Sequence, residues 1–126
     1  MKFISSLKKV FNDNSSQNGT YHFWAQRFSA VGNFIAGLWF IYAVIQIPGF
    51  EYNDVLSFIE SIPNSLMLIF LVLTMAYHSY LGIQVIVEDY VHAHKLKLST
   101  LTFSRFAHIL LVGTAIFAII KIRLGA

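Results

Sequence analysis

The sequence predicts an all-α membrane protein with three transmembrane helices. Two observations carry this. The 126-residue chain is 56% hydrophobic and only 12% charged, whereas soluble domains carry about 25% charged residues. The apolar residues also fall in three blocks, each near the ~20 residues needed to cross a bilayer as a helix. The blocks place helices at about 30–47, 65–90 and 103–122. The predicted domain plan is an N-terminal amphipathic segment and linker over 1–19, then a three-helix anchor domain over 20–126.

Met1 to Phe11 puts Phe3, Ile4, Leu7, Val10 and Phe11 on one helical face, with Lys2, Lys8 and Lys9 off it. This reads either as a short interfacial helix on anionic lipid or as a frayed terminus. Asn12 to Gly19 reads as a polar linker. The aromatic-rich segment Tyr21 to Phe28 suits the membrane–water interface, and Arg27 stands where helix one enters the bilayer. Gly32 and Ala36 form a small-xxx-small pair that permits close helix contact. Pro48-Gly49 ends helix one.

The loop from Glu51 to Ser61 carries Glu51, Asp54 and Glu60 and no Lys or Arg. Pro63 sits at or before the start of helix two. The next loop, Val91 to Thr100, carries His92, His94, Lys95 and Lys97. By the positive-inside rule the N-terminus and this second loop face inward and the C-terminus outward. Lys121 and Arg123 then lie on the outer side, against the rule. The first run is too short and too charged for a signal peptide, and no Arg-rich transit segment is apparent. The expected location is a bacterial cytoplasmic membrane or the mitochondrial inner membrane. With no cysteine, disulfides, iron–sulfur ligation and thiol catalysis are excluded from this chain. The net charge of +3 reports topology, not nucleic-acid binding. Three short helices enclose little alone, so a partner is expected.

Helix two carries the chemistry. Residues eleven apart on an α-helix point almost the same way, because three turns take about 10.8 residues. Thr74, His78, Gly82, Val85 and Asp89 therefore share a face. A histidine at mid-membrane is costly unless it is used. It reads either as an axial haem ligand or as a hydrogen-bonding group between helices. Gly82, one turn on, removes bulk beside the imidazole, so a large flat group could approach. Asp89 lies roughly 16 Å further along. Asp89 and Tyr90 read either as an interfacial helix end with an aromatic anchor or as a polar site for an amphipathic ligand. In the second case the phenol would donate to a carbonyl and the carboxylate would support proton movement. His108 on helix three reads as a helix–helix hydrogen-bonding group, and His92 and His94 as solvated.

The string His78-Ser-Tyr-Leu-Gly82-Ile-Gln-Val-Ile-Val-Glu-Asp89-Tyr90 resembles the second-helix motif of the hydrophobic membrane anchors of succinate dehydrogenase (complex II). The order His, Gly four residues on, then Asp-Tyr eleven and twelve residues on is matched at all four positions. Trp24-Ala-Gln-Arg27-Phe-Ser-Ala30 is similar to that family's approach to helix one in alphaproteobacterial and mitochondrial members. The resemblance covers about residues 20–122.

It implies an anchor for a flavoprotein and an iron–sulfur protein, working with a second, different membrane anchor. His78 would then be one axial ligand of a b-type haem shared with that second anchor, with Gly82 beside it and Arg27 near the haem propionates. Tyr90 would hydrogen-bond ubiquinone, supported by Asp89. FAD and the iron–sulfur clusters would belong to the partner proteins only. The chain would hold no dehydrogenase active site of its own. The alternatives are an anchor of a fumarate reductase and a non-redox three-helix scaffold.

Overall fold

The computed structural model describes residues 14–125, with side chains from 19 onward. The expected interfacial segment Met1 to Phe11 lies outside the described residues. Four helices follow in order: α1 (Asn14–Ile45), α2 (Tyr52–Glu60), α3 (Ile62–Tyr90) and α4 (His94–Arg123). All regular structure among the described residues is helical. Three of these helices, over Gly19–Ile45, Ile62–Tyr90 and His94–Arg123, are long and apolar enough to cross a membrane.

Two of the long helices outrun the predicted blocks at their N-terminal ends. α1 begins at Asn14 rather than near residue 30, and α4 at His94 rather than near 103. The expected polar linker is thus helical from Asn14, and the expected loop shrinks to 91–93. The cause is cooperative. Hydropathy marks only the stretch that lipid requires, but once a helix is nucleated each further residue adds a hydrogen bond. Lys95 and Lys97 are compatible with a helix that continues into water. The loop from Glu51 to Ser61 likewise holds a helix, α2, that hydropathy alone does not announce. The Glu51 amide donates to the Asp54 carboxylate at its first turn (3.4 Å). Phe58 then stacks on Trp39 of α1 (centroids 6.3 Å apart). Pro63 sits in the first turn of α3, where its missing N–H is no loss.

α3 is the central element. It packs against α1 on one side and α4 on the other, while α1 and α4 do not pack on each other. The spanning helices therefore form an open row, not a closed bundle. Small residues set the α1–α3 contact: Ser29, Ala36 and Ala43 are buried. A Cβ built on Gly32 would lie 3.2 Å from Thr74 Cγ2. Gly32→Val adds two methyls at that contact, an overpacking that costs about 1–3 kcal/mol. We expect its thermal unfolding in detergent to fall by several degrees. Gly37→Val, where no side chain comes within 4 Å, should leave it unchanged. Equal melting of both variants would contradict this packing.

At the α3–α4 contact the polar groups are paired. The His108 Nδ1–H donates to the Ser104 carbonyl (2.7 Å), and Nε2 lies 3.2 Å from Ser79 Oγ, which donates to it. The Arg105 guanidinium reaches the Tyr80 hydroxyl (3.4 Å). Most other large apolar side chains face outward, among them Phe34, Ile41, Phe106 and Phe117, as lipid-facing surfaces require.

Candidate functional site

His78 sits half-buried near the middle of α3. Its Nδ1 lies 2.9 Å from Ser29 Oγ on α1. That hydroxyl also donates to the Gln26 carbonyl (2.9 Å). When that proton is on the Gln26 carbonyl, Ser29 Oγ accepts from His78 Nδ1–H and the neutral ring carries its hydrogen there. The Nε2 lone pair is left uncommitted. This is the arrangement metal-binding histidines use: one ring nitrogen held by an outer partner, the other presented to the ligand. His108 differs, since both its nitrogens are engaged inside the chain, as the helix–helix role expected for it requires.

Gly82 stands one turn from His78. A Cβ built there meets nothing within 4 Å, so no packing within this chain demands glycine. The bare surface faces outward from the α1–α3 pair. Asp89 and Tyr90 follow at the end of α3, both exposed, Tyr90 at 80%. Neither makes a side-chain hydrogen bond among the described residues. His78, Gly82 and Asp89 therefore share a face of α3, with Tyr90 one residue beyond Asp89 at the helix end.

Arg27 is exposed, with its guanidinium carbon 4.3 Å from the centroid of the Phe23 ring. It lies about 200° round α1 from Ser29, so the fold does not bring it to the His78 imidazole. Asn33 presents a second unmet group. Its Oδ1 is shut from solvent with no partner among the described residues, within the membrane span where an unmet acceptor is costly. Among the described residues no three His, Cys, Asp or Glu side chains gather as a metal-ion cluster. A single axial imidazole does not need one.

Sequence reasoning missed two participants. Ser29 holds His78 across a separation of 49 residues, which no local spacing reveals, although Ser29 falls within the Trp24 to Ala30 string. His22 has an Nε2 that is buried without a partner. It lines a cavity with Gln84, Glu88 and Arg105; nothing in its sequence neighbourhood marks it.

Comparison with known proteins adds a second line. Residues 4–120 match the family described as succinate dehydrogenase/fumarate reductase transmembrane subunit. The chain is 27% identical over 117 residues to the succinate dehydrogenase hydrophobic membrane anchor subunit of Rickettsia bellii (strain RML369-C), covering 93% of this chain and 94% of that protein. The proteins of the same description from Rickettsia prowazekii (strain Madrid E) and Rickettsia typhi (strain ATCC VR-144 / Wilmington) are 27% and 28% identical over the same shares. No solved structure matches the chain.

Proposed function

The chain belongs to the succinate dehydrogenase/fumarate reductase transmembrane subunit family, and we propose that within it the chain is the hydrophobic membrane anchor of a succinate:ubiquinone oxidoreductase. It works with a second membrane anchor, an iron–sulfur protein and a flavoprotein, in a bacterial cytoplasmic or mitochondrial inner membrane. The observation that carries the reading is the Ser29–His78 hydrogen bond, which engages one ring nitrogen and leaves the other available, with open space at Gly82 one turn on.

A b-type haem shared with the second anchor supplies one-electron redox chemistry when bound. His78 would hold it through a ring nitrogen, with Ser29 fixing the ring's orientation and Gly82 leaving room beside the imidazole. A propionate contact by Arg27, of the charge-assisted kind a guanidinium makes well, would require the side chain to leave the Phe23 ring it covers here. Tyr90 donates to a ubiquinone carbonyl, and Asp89 holds or passes a proton at that surface. The uncovered side of α3 calls for a second helical protein. With no cysteine in the chain, the iron–sulfur clusters lie in a partner, and the flavin chemistry with them.

Affinity purification of the tagged full chain in mild detergent tests the assembly. A flavoprotein, a cysteine-rich iron–sulfur protein and a second three-helix anchor should come with it, with succinate-driven ubiquinone reduction. Recovery of the chain without them would overturn the anchor role and favour a scaffold. A fumarate reductase anchor is the second reading, since the family description spans both enzymes. A low-potential quinone in the purified assembly, in place of ubiquinone, would select it. For orientation we propose N-in, C-out, from the Lys and His residues at the α3–α4 turn and the acids of the opposite loop. A reporter fused after the C-terminus should be active only on the outer side, and cytoplasmic activity would reject this topology.

A further inference from the structure

The other side of α3 carries a different set of features. Tyr77 lies about 100° round the helix from His78, and Leu73, Tyr80, Gln84 and Glu88 fall within about 60° of Tyr77. Three hollows meet here, and Tyr77 lines all of them. One, of about 580 Å³, is polar and lies toward the N-terminal end of α1. Its walls include His22, Gln84, Glu88 and Arg105. The second, about 810 Å³, is an apolar groove between α1 and α3 walled by Trp24, Phe28 and Leu73. The third, about 660 Å³, is an apolar groove between α3 and α4 walled by Ile109, Val112 and Gly113. Tyr21 is shared by the polar hollow and the first groove, and Tyr80 and Arg105 by the polar hollow and the second. The shape is a polar head opening into two apolar channels on either side of Tyr77.

The dimensions match one leaflet. From Tyr80 to Phe70 along α3 is roughly 15 Å, and from Arg105 to Gly113 along α4 roughly 12 Å. Half of a ~30 Å hydrocarbon core is about 15 Å. The charges are ordered as well. Arg105, level with Tyr80, is the deeper group. Glu88 lies two turns nearer the helix end, where its carboxylate accepts from Gln84 (3.1 Å). Lys97 reaches the Glu88 backbone carbonyl (3.1 Å), and His22 adds an imidazole with an unmet Nε2.

We propose that this side binds one diacyl phospholipid with a primary-amine headgroup: phosphate at Arg105, ammonium at Glu88, and one acyl chain in each groove beside Tyr77. In such a lipid the phosphate lies deeper than the amine, as Arg105 lies deeper than Glu88. A quaternary ammonium cannot donate a hydrogen bond to the Glu88 carboxylate, so phosphoethanolamine is preferred over phosphocholine. The site does not rest on the haem or quinone assignments, whose α3 residues lie about 100–140° round the helix from Tyr77.

Native mass spectrometry of the assembly carrying the full chain tests this. The assembly is released from vesicles of equimolar phosphatidylethanolamine and phosphatidylcholine with identical acyl chains. The wild type should retain the ethanolamine lipid in preference, by up to about five-fold, the most an exposed charge pair supplies. Glu88→Gln should bring that ratio near one. Gly113→Leu, which meets no atom of the chain at Cβ but fills the second groove, should reduce bound diacyl lipid of either kind while the assembly stays intact. A wild-type ratio near one, a ratio unchanged by Glu88→Gln, or a quinone recovered in place of the lipid would each overturn the proposal. Glu88→Gln keeps the test decisive should the Gly113 variant fail to assemble.

Discussion

An assembly carrying His78→Ala is expected to leave the membrane with its polypeptides together and its haem b band missing from the reduced-minus-oxidised spectrum. Alanine removes the nitrogen proposed to hold the haem. His108, the other histidine deep in a span, has one nitrogen on Ser104 and the other on Ser79, and it sits on the α4 side of α3. His108→Ala should therefore keep the band. Ser29→Ala separates ligation from mere presence of the ring. The imidazole remains, but its tautomer and plane lose their support, and outer partners of metal-bound histidines are worth about ten-fold or more in affinity. Haem content should then fall on dilution in detergent, below wild type and above His78→Ala. A full haem band in His78→Ala would remove the ligand assignment, while the anchor role would stand or fall separately on co-purification.

The second large effect is expected at the helix end. Tyr90→Phe deletes one hydroxyl from a side chain that is 80% exposed and makes no side-chain hydrogen bond among the described residues. Folding should be indifferent, because no hydrogen bond among those residues is lost. Quinone reduction should not be indifferent, because charge develops on the quinone oxygen as it is reduced. Losing a donor to a charged acceptor corresponds to roughly ten-fold or more in rate. The informative reading is a ratio: succinate oxidation with a soluble dye as acceptor should be preserved while succinate-driven ubiquinone reduction falls. Equal loss of both activities would point to a damaged assembly, and no loss of either would remove Tyr90 from the quinone site.

Much of this architecture was legible in the chain itself, for reasons that differ from element to element. The three spans follow from lipid, which tolerates no unpaired backbone and no unpartnered charge over its core, so their middles are written in composition. Their ends are not. Asn14 to Gly19 and His94 to Thr100 are polar enough to read as connections, yet they extend helices already nucleated within the bilayer. α2 is amphipathic and only nine residues long, below what hydropathy detects, and its seat on Trp39 is a long-range contact. At the site, helical periodicity placed His78, Gly82 and Asp89 together without help, because that relation is local to one helix. Ser29 was invisible, because its relation to His78 depends on how α1 crosses α3, and that crossing is set by Gly32 against Thr74. Arg27 shows the converse. It matches a motif in sequence, but its orientation toward Phe23 depends on the rotation of α1.

The His78–Gly82–Asp89 side of α3 is, on the proposal above, a half-site completed by a second anchor protein. Photo-crosslinking in intact membranes tests it most directly, with a photoreactive residue placed singly at Met75, Ile86 or Leu73. Met75 and Ile86 are exposed at 55% and 59% and lie within about 80° of His78 round the helix, whereas Leu73 lies about 140° away on the other side. Covalent capture of the second anchor is expected from Met75 and Ile86 and none from Leu73. Capture from Leu73 with none from Met75 or Ile86 would contradict it, because the partner would then cover the grooves and leave His78 facing lipid.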